Sequence, residues 1–252
     1  MNTKVKSILI GVAAFVVLTG IIGFASTEND KRVCDEVIVN IDNQLNNHFI
    51  DELDVLSLVN DNGASAVIGE SLDRINVRAI EERVKKEPFI RDAEIFRDHE
   101  GNLIVNVDQR RPIARIIRSD GPDAYIADDG HILPVSEKFS ARVLLISGDN
   151  MKQLSESKSI SQGAHALLFE MINYINSDAF LKAQIAQINF ENEQEVVLYP
   201  QMTKQLIEFG DLENMQAKFN KLMIFYKQIL PRKGWNVYKK VNLKYNDQII
   251  CE

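Results

Sequence analysis

The stretch that decides the fold is NVRAIEERVKKEPFIRDAEIFRDHEGNLIVNV, residues 76–107. Its first part places Val77, Ile80 and Val84 three and four residues apart, the spacing of apolar side chains on one face of an α-helix. Pro88 ends this pattern, because proline has no backbone N–H with which to continue a helical hydrogen-bond ladder. The opening of the stretch therefore predicts a short amphipathic helix that stops before the proline.

Two strands are predicted after that helix. Residues 93–97 and 103–107 are rich in apolar and β-branched side chains, and the polar, glycine-containing sequence at 98–102 has the character of a hairpin turn. Upstream, apolar and polar residues alternate at the end of residues 37–41, which predicts a half-buried strand. Residues 51–60 have leucine and valine at steps of three, which predicts a short helix. The resulting order, β-α-α-β-β, predicts a compact two-layer module with helices on a small sheet.

The chain from residue 110 onward also alternates strands and helices. Its predicted strands are residues 110–116, 125–127, 132–133, 143–146, 185–190, 196–199 and 237–245. An amphipathic helix is predicted at 161–176 and a polar loop at 150–161. A second amphipathic helix is predicted to start at a cap at Asp211 and to be terminated by Pro231 and Gly234. The predicted fold class is α+β. Its second domain is predicted to be mixed α/β and to be built on an antiparallel-rich sheet.

At the amino-terminal end, residues 8–25 form an uncharged apolar run of 18 residues. As a helix this run would be about 27 Å long, close to the hydrocarbon thickness of a bilayer at about 30 Å. Lys4 and Lys6 precede it, so the positive-inside rule predicts a short cytoplasmic tail at 1–7 and an extracytoplasmic carboxyl-terminal part. The pattern predicts a single-pass membrane helix followed by a linker at 26–33, with a cleaved signal peptide as the alternative.

Charge and cysteine content narrow the possible partners and the covalent structure. The net charge of −7 argues against a nucleic acid partner, because phosphate binding needs a positive surplus on at least one face. Cys34 and Cys251 could pair in an oxidising compartment or remain as two thiols, and the sequence leaves both possibilities open.

No motif predicts an enzyme active site. The four histidines lack metal-ligand spacing, and neither a glycine-rich phosphate loop nor a G-x-S-x-G elbow occurs. Ser155 and Lys158 fit the loose S-x-x-K pattern of acyl-transfer serines, but the companion motifs of those enzymes are missing. We therefore predict no catalytic, cofactor-binding or metal-ligating residues, no cofactor and no small-molecule substrate.

Two charged clusters lie early in the second region. The basic one consists of Arg110, Arg111, Arg115 and Arg118. It could meet lipid headgroups or an acidic partner, or it could be a solvated strand face. The acidic cluster consists of Asp120, Asp123, Asp128 and Asp129. Its spacing does not fit a twelve-residue calcium loop, so we interpret it as two β-turns.

The closing strand, at 237–245, has the character of an exposed sheet edge. Val241 and Leu243 belong to an apolar row, while Lys239, Lys240 and Lys244 lie beside it. Lysines on an edge discourage indiscriminate pairing but leave backbone donors and acceptors open. Such an edge can accept a strand or helix from a partner, and an internal strand covered by its neighbours is the alternative.

The chain resembles the FtsQ/DivIB family of bacterial cell-division proteins. The resemblance rests on FIRDA at 89–93, QRRPIAR at 109–115, YIADDG at 125–130, VLLISG at 143–148 and KFNKLMIFY at 218–226. Family members share a short cytoplasmic tail, one membrane helix, a POTRA domain and a β domain. The resemblance therefore implies a POTRA domain at 34–109 and an FtsQ-type β domain at 110–252.

The resemblance also implies a function. Family members are non-enzymatic scaffolds at the division septum, held in the cytoplasmic (inner) membrane with the amino terminus in the cytoplasm, and their last β-domain strands bind FtsB, which is coiled with FtsL. We therefore expect FtsB-like and FtsL-like membrane proteins as partners. Carried onto this chain, the expected partner-binding residues are Val241, Asn242, Leu243, Lys244, Tyr245, Gln248, Ile249 and Ile250.

Two other functions stay open at this point. One is a secreted or anchored envelope hydrolase that uses Ser155 or the acidic cluster. The other is a POTRA-type chaperone of envelope assembly, which is disfavoured because no alternating segments of a transmembrane barrel follow the POTRA-like part.

Overall fold

The computed structural model describes residues 12–13, 15–20, 32–42, 47–192 and 195–252. The two short pieces before residue 32 are helical and exposed. None of the described helices is both long and apolar enough to cross a bilayer. The predicted cytoplasmic tail at 1–7, most of the predicted membrane helix at 8–25 and all but two residues of the predicted linker at 26–33 lie outside the described residues.

The chain divides into two compact units. The first comprises the described part of Met1–Asn46 together with Ile50–Gln109, and the second comprises Asn47–Phe49 and Arg110–Glu252. Phe49 packs in the second unit, where its ring centroid lies 5.4 Å from that of Tyr125 and 5.1 Å from that of Phe139.

The first unit has the predicted order of elements. They are β1 (Val37–Asp42), α1 (Glu52–Val59), α2 (Val77–Val84), β2 (Ile90–Arg97) and β3 (Leu103–Gln109). In the sheet β3 is central, parallel to β1 and antiparallel to β2. Single 3-10 turns at Asp61–Gly63 and Leu72–Arg74 connect the two helices.

Helices α1 and α2 both begin at side-chain caps. The Asp51 carboxylate accepts the backbone N–H of Asp54, and the Asp54 carboxylate accepts that of Asp51, which together form a capping box. The Asn76 side chain accepts the N–H of Ala79 at the start of α2. These caps pair backbone donors that the first turn of a helix leaves without partners, so both starts could be read from the sequence.

The buried face of α1 differs from the predicted one. The steps of three in the sequence put Leu53 on the apolar face with Val59, but Leu53 is 75% exposed. Val55 and Val59, four residues apart, are the fully buried pair. A spacing of four residues lies closer to the helical period of 3.6 residues than a spacing of three does, and it is this face that packs against β1.

The second unit is built on a nine-stranded sheet with the order β12-β11-β10-β9-β8-β7-β4-β5-β6. Its strands are β4 (Pro112–Ile116), β5 (Ala124–Ala127), β6 (Ile132–Pro134), β7 (Leu144–Gly148), β8 (Ile185–Asn192), β9 (Glu195–Pro200), β10 (Leu206–Gly210), β11 (Lys240–Asn242) and β12 (Ile250–Cys251). Five of the eight strand pairs are antiparallel and three are parallel, so antiparallel pairing predominates, as predicted.

Helices cover the core of this sheet. They are α3 (Met151–Glu156), α4 (Ala166–Ser177), α5 (Ala179–Gln184), α6 (Met215–Ile224) and α7 (Leu230–Lys233). Tyr174 of α4 stacks on Phe219 of α6 with ring centroids 4.7 Å apart, and Phe219 contacts Phe209 of β10. Apolar side chains from these helices and from strands β4 to β11 form one continuous core.

Several short elements differ from the predictions. The predicted loop at 150–161 contains α3, because Met151 and Leu154 bury their side chains one turn apart. The strand β10 and the helix α5, capped by Asp178, were not predicted. The last helical stretch ends before Gly234, one of its two predicted terminators, but it passes through Pro231, since a π-helical turn, Phe225–Ile229, precedes the proline and α7 continues to Lys233.

Candidate partner-binding edge

The predicted closing strand is two short strands that run in opposite directions. The chain reverses at Asn246 and Asp247, and Asp247 has a positive φ of 58°. β11 pairs in parallel with β10 on one side and antiparallel with β12 on the other. The prediction of one continuous edge strand is therefore wrong, because a turn of the Asn-Asp type folds the chain back on itself. β12, rather than β11, is the edge of the sheet.

The hydrogen bonds of β12 define which backbone groups face outward. Lys240 and Glu252 exchange both backbone hydrogen bonds, at 3.1 Å from Lys240 N and 3.0 Å from Glu252 N. The next pair, Val241 and Cys251, is consequently a pair without mutual hydrogen bonds. In this pattern the N–H and C=O of Cys251 point away from β11, toward the open side of the sheet.

The apolar side chains of the predicted site hold β11 in place. Val241 and Leu243 are fully buried in the core of the second unit. Their side chains are therefore not exposed to a partner, and their packing positions the strand.

Ionic and polar contacts fix the same segment from its other face. Glu208 of β10 contacts both Lys240 Nζ, at 3.2 Å, and Asn242 Nδ2, at 2.7 Å. Glu195 of β9 accepts from Lys244 Nζ at 2.7 and 2.8 Å, and this carboxylate raises the pKa of Lys244.

Lys221 of α6 ties the helix to the segment after β11. Its Nζ donates to the backbone oxygens of Leu243 and Tyr245, each at 2.6 Å. Burial, with a contribution from nearby Lys218, lowers the pKa of this ammonium group. The segment before the turn is thus anchored to both β10 and α6.

The other predicted site residues are at the surface. Tyr245 is 51% exposed next to the turn, Gln248 is exposed, Ile249 is half-buried and Ile250 is 37% exposed. Cys251, which the sequence analysis considered only as a possible disulfide partner, lies at the centre of the edge. The Asn-Asp dipeptide followed by apolar residues is the only local signal for this reversal, and a two-residue strand has no periodicity of its own.

The four arginines of the basic cluster are paired with the four aspartates of the acidic cluster. The ion pairs are Arg110–Asp129 (2.9 Å), Arg111–Asp128 (3.6 Å), Arg115–Asp123 (2.7 Å) and Arg118–Asp120 (3.1 Å). Both clusters neutralise each other across β4, β5 and their flanking turns. The antiparallel register of β4 and β5 brings Arg110, Arg111 and Arg115 beside their aspartates, and single-sequence spacing does not reveal a register. Arg118 and Asp120 pair locally, two residues apart.

Opposing effects act on the pKa of Asp129, one of the aspartates in these ion pairs. Burial alone would raise the pKa of its carboxyl group, but the backbone N–H of His131 and the guanidinium of Arg110 outweigh burial and lower the pKa overall. Ser155, the serine of the S-x-x-K pattern, takes part in the same network. It donates to the Lys152 backbone oxygen at 2.8 Å and accepts from Arg118 at 3.0 Å.

The two cysteines are free thiols. Cys34 is buried in the first unit and Cys251 is half-buried, and burial raises the pKa of both thiols. Over the described ranges, no three histidine, cysteine, aspartate or glutamate side chains converge as metal ligands.

Comparison with known proteins agrees with the two-unit organisation. Residues 111–252 match the family described as FtsQ/DivIB, C-terminal related, and residues 32–108 match the POTRA-like domain. The chain is also similar to the cell division protein FtsQ of Geotalea daltonii, with 23% identity over 186 residues, 73% of this chain and 66% of that relative. Because the family match covers more than half of the sequence, the chain is a member of the FtsQ/DivIB family.

Proposed function

We propose that this protein is a non-enzymatic scaffold of the bacterial division machinery, and that it binds a septal membrane protein by accepting a strand at β12. One observation carries the proposal: the outermost strand of the nine-stranded sheet turns the N–H and C=O of Cys251 away from β11. An added strand would give these groups hydrogen-bond partners.

The surroundings of β12 support a specific rather than an indiscriminate interaction. A two-residue edge supplies few backbone hydrogen bonds, so side chains must contribute most of the affinity. Ile250 and Tyr245 are exposed apolar side chains next to the edge, and Gln248 lies between them in sequence. In this proposal Val241, Asn242, Leu243 and Lys244 position the edge, while Tyr245, Gln248, Ile249 and Ile250 touch the partner.

Family membership supports a proposal for the partner class and the location. We propose FtsB-like and FtsL-like membrane proteins as the partners and the division septum as the site of action. The domain boundaries at 34–109 and 110–252 belong to the same proposal. So does the arrangement in the cytoplasmic membrane, with a tail at 1–7, one membrane helix at 8–25 and a linker at 26–33, which the apolar run supports.

A proline at position 251 tests the edge directly. Cys251→Pro removes the outward N–H and leaves the inward bonds of Lys240 and Glu252 in place, since proline is tolerated where its nitrogen faces solvent. Cys251→Ser is the matched control, because it also removes the thiol but keeps the N–H. We expect the proline variant of the full chain to lose at least about tenfold in affinity for its FtsB-like partner, and the serine variant to bind as the wild type does.

A folding control accompanies this measurement. Hydrogen exchange at the Lys240 and Glu252 amides reports whether β12 still pairs with β11 in each variant. Equal capture of the partner by the proline and serine variants, with the β11–β12 pair intact, would contradict strand addition at this edge.

A further inference from the structure

The last part of the second unit carries a local excess of positive charge. Residues 214–246 contain eight lysines and arginines and no aspartate or glutamate, in a chain with a net charge of −7. Five of these cations have partners inside the unit: carboxylates for Lys218, Lys240 and Lys244, backbone oxygens for Lys221 and the Phe180 ring for Lys227. Three cations remain.

These three, Arg232, Lys233 and Lys239, are exposed, and Lys204 from the loop before β10 joins them. Two contacts hold the segments side by side. Leu206 N donates to the Lys239 oxygen at 2.9 Å, and the side-chain amide of Gln205 donates to the Trp235 oxygen. We call Lys204, Arg232, Lys233 and Lys239 the cationic patch. None of the four has an ion-pair partner in the part of the chain that the structure describes.

Large apolar side chains lie in the same two segments as these cations. Met202 is 78% exposed, Val237 is 58% exposed and Trp235 is 45% exposed. Single exposed apolar residues are common on protein surfaces, but three in two neighbouring segments form a patch. Tryptophan and arginine are the residue types that most often dominate binding energy at protein interfaces.

The basic cluster at 110–118 of the same unit differs from the patch because it is neutralised internally. Each arginine of the 110–118 cluster has an aspartate partner within 3.6 Å. Uncompensated cations at one place on an acidic protein create a local positive potential that accelerates association with an anionic surface. The charge pattern therefore fits a partner that brings carboxylates to this position.

We infer that the cationic patch and Trp235 bind an acidic segment of the protein partner that also carries a large apolar side chain. The inference rests on the proposed function, because the patch continues the edge: the backbone N of Lys239 donates to the Glu252 oxygen, so the patch begins where β12 ends. A strand added to β12 would pass onto the patch beyond the level of Glu252. The added strand forms backbone hydrogen bonds with β12. The acidic segment beside it orients the partner and increases its association rate.

Neutralising the patch tests the electrostatic part. The variant replaces Lys204, Arg232, Lys233 and Lys239 by glutamine. The matched control replaces Arg142, Lys152, Lys158 and Lys182 by glutamine, which removes the same residue types and the same charge from exposed positions of the same unit. With the full chain and the extracytoplasmic part of its FtsB-like partner at low salt, we expect the patch variant to associate about tenfold more slowly and the control within about twofold of wild type.

Trp235 tests the apolar part. Trp235→Ala should weaken partner binding by about thirtyfold, and Trp235→Phe should retain most of the affinity, because a central aromatic anchor contributes through its buried area.

Equal association of the patch variant and its control, while Cys251→Pro abolishes binding, would overturn this inference and leave the proposed function intact. Failure of the wild-type chain to bind the partner at all would contradict both the inference and the proposed function.

Anionic lipid is the competing occupant, and the chain offers a specific probe for it. Trp235 is the single tryptophan, so its emission reports on the patch alone. With the full chain in phosphatidylcholine vesicles, adding phosphatidylglycerol should leave the emission unchanged. A blue shift that the four glutamine substitutions abolish, together with unchanged partner association, would assign the patch to lipid and overturn the inference.

Discussion

Gly148 is a position where the fold tolerates only the smallest residue. It ends β7 beside Phe190 of β8, with a φ of +113°. A Cβ atom there would lie 2.0 Å from the Phe190 backbone oxygen, and Asp149 N donates to the same oxygen at 2.9 Å. Both the backbone conformation and the close approach of two strands therefore require glycine.

Gly148→Ala should destabilise the second unit by about 4 kcal/mol or prevent its folding, because a backbone atom cannot move aside. Gly163→Ala is the matched comparison, since Gly163 also has a positive φ, +76°, but open space around it. We expect that change to cost about 1 kcal/mol, the strain of the backbone conformation alone. Urea denaturation measures both losses, and equal values would show that the contact with Phe190 does not matter.

Tyr226 makes the stability of the second unit sensitive to alkaline pH. Its side chain is fully buried in the π-helical turn, and burial raises the pKa of Tyr226 to about 12 from the usual 10.0. Below pH 10 the phenol is neutral in the folded and unfolded states. Between pH 10 and 12 the unfolded chain releases this proton while the folded chain retains it, so stability falls as pH rises.

The expected contribution of Tyr226 to this loss is about 2 kcal/mol by pH 12. Tyr226→Phe removes the titrating group, so the variant should lose less stability than the wild type between pH 10 and 12. The difference between the two proteins at pH 7 serves as the reference. Parallel curves of unfolding free energy against pH would contradict a buried neutral phenol at this position.

At the scale of elements, the sequence predicts best those segments that carry their own signals. The first unit follows from the caps at Asp51 and Asn76 and from the proline and turn residues that punctuate 76–107. β10 and β12 carry no comparable signal, since they have five and two residues and depend on neighbouring strands for their hydrogen bonds. The candidate edge was therefore predicted in the right part of the chain but with β11 in place of β12.

The β11–β12 reversal separates residues that support the edge from residues that can touch a partner. Leu243 is fully buried, so Leu243→Ala should cost about 2–5 kcal/mol through the lost contacts and the cavity. Tyr245 is 51% exposed beside the turn, so Tyr245→Ala should change stability by less than about 0.5 kcal/mol while weakening partner capture. Thermal unfolding and a pull-down on the same samples distinguish the two effects. Full partner capture by Tyr245→Ala would remove this side chain from the proposed contact set.

At the scale of the whole molecule, charge organisation distinguishes the paired from the unpaired surfaces. The basic cluster of the sequence analysis is internal to β4, β5 and their turns, where each arginine meets an aspartate. The cationic patch has no such complement, although it is less dense in the sequence because Lys204 lies far from the other three. Counting charged residues along the sequence finds only clusters whose members are close in sequence. The residues of the cationic patch come together only because β10 pairs with β11.

The division of the chain into units makes one prediction that sequence order alone would not. Phe49 precedes α1 in sequence but packs against Tyr125 and Phe139 in the second unit, where it is 3% exposed. Phe49→Ala should therefore destabilise the second unit by about 3 kcal/mol, through lost aromatic contacts and an unfilled cavity. Trp235, the single tryptophan, reports the unfolding of that unit by its emission during urea denaturation. Phe96→Ala, which removes a 42% exposed phenylalanine from the first unit, should leave the Trp235 transition where it is in wild type. Coincident midpoints for Phe49→Ala and wild type would show that residues 47–49 do not stabilise the second unit.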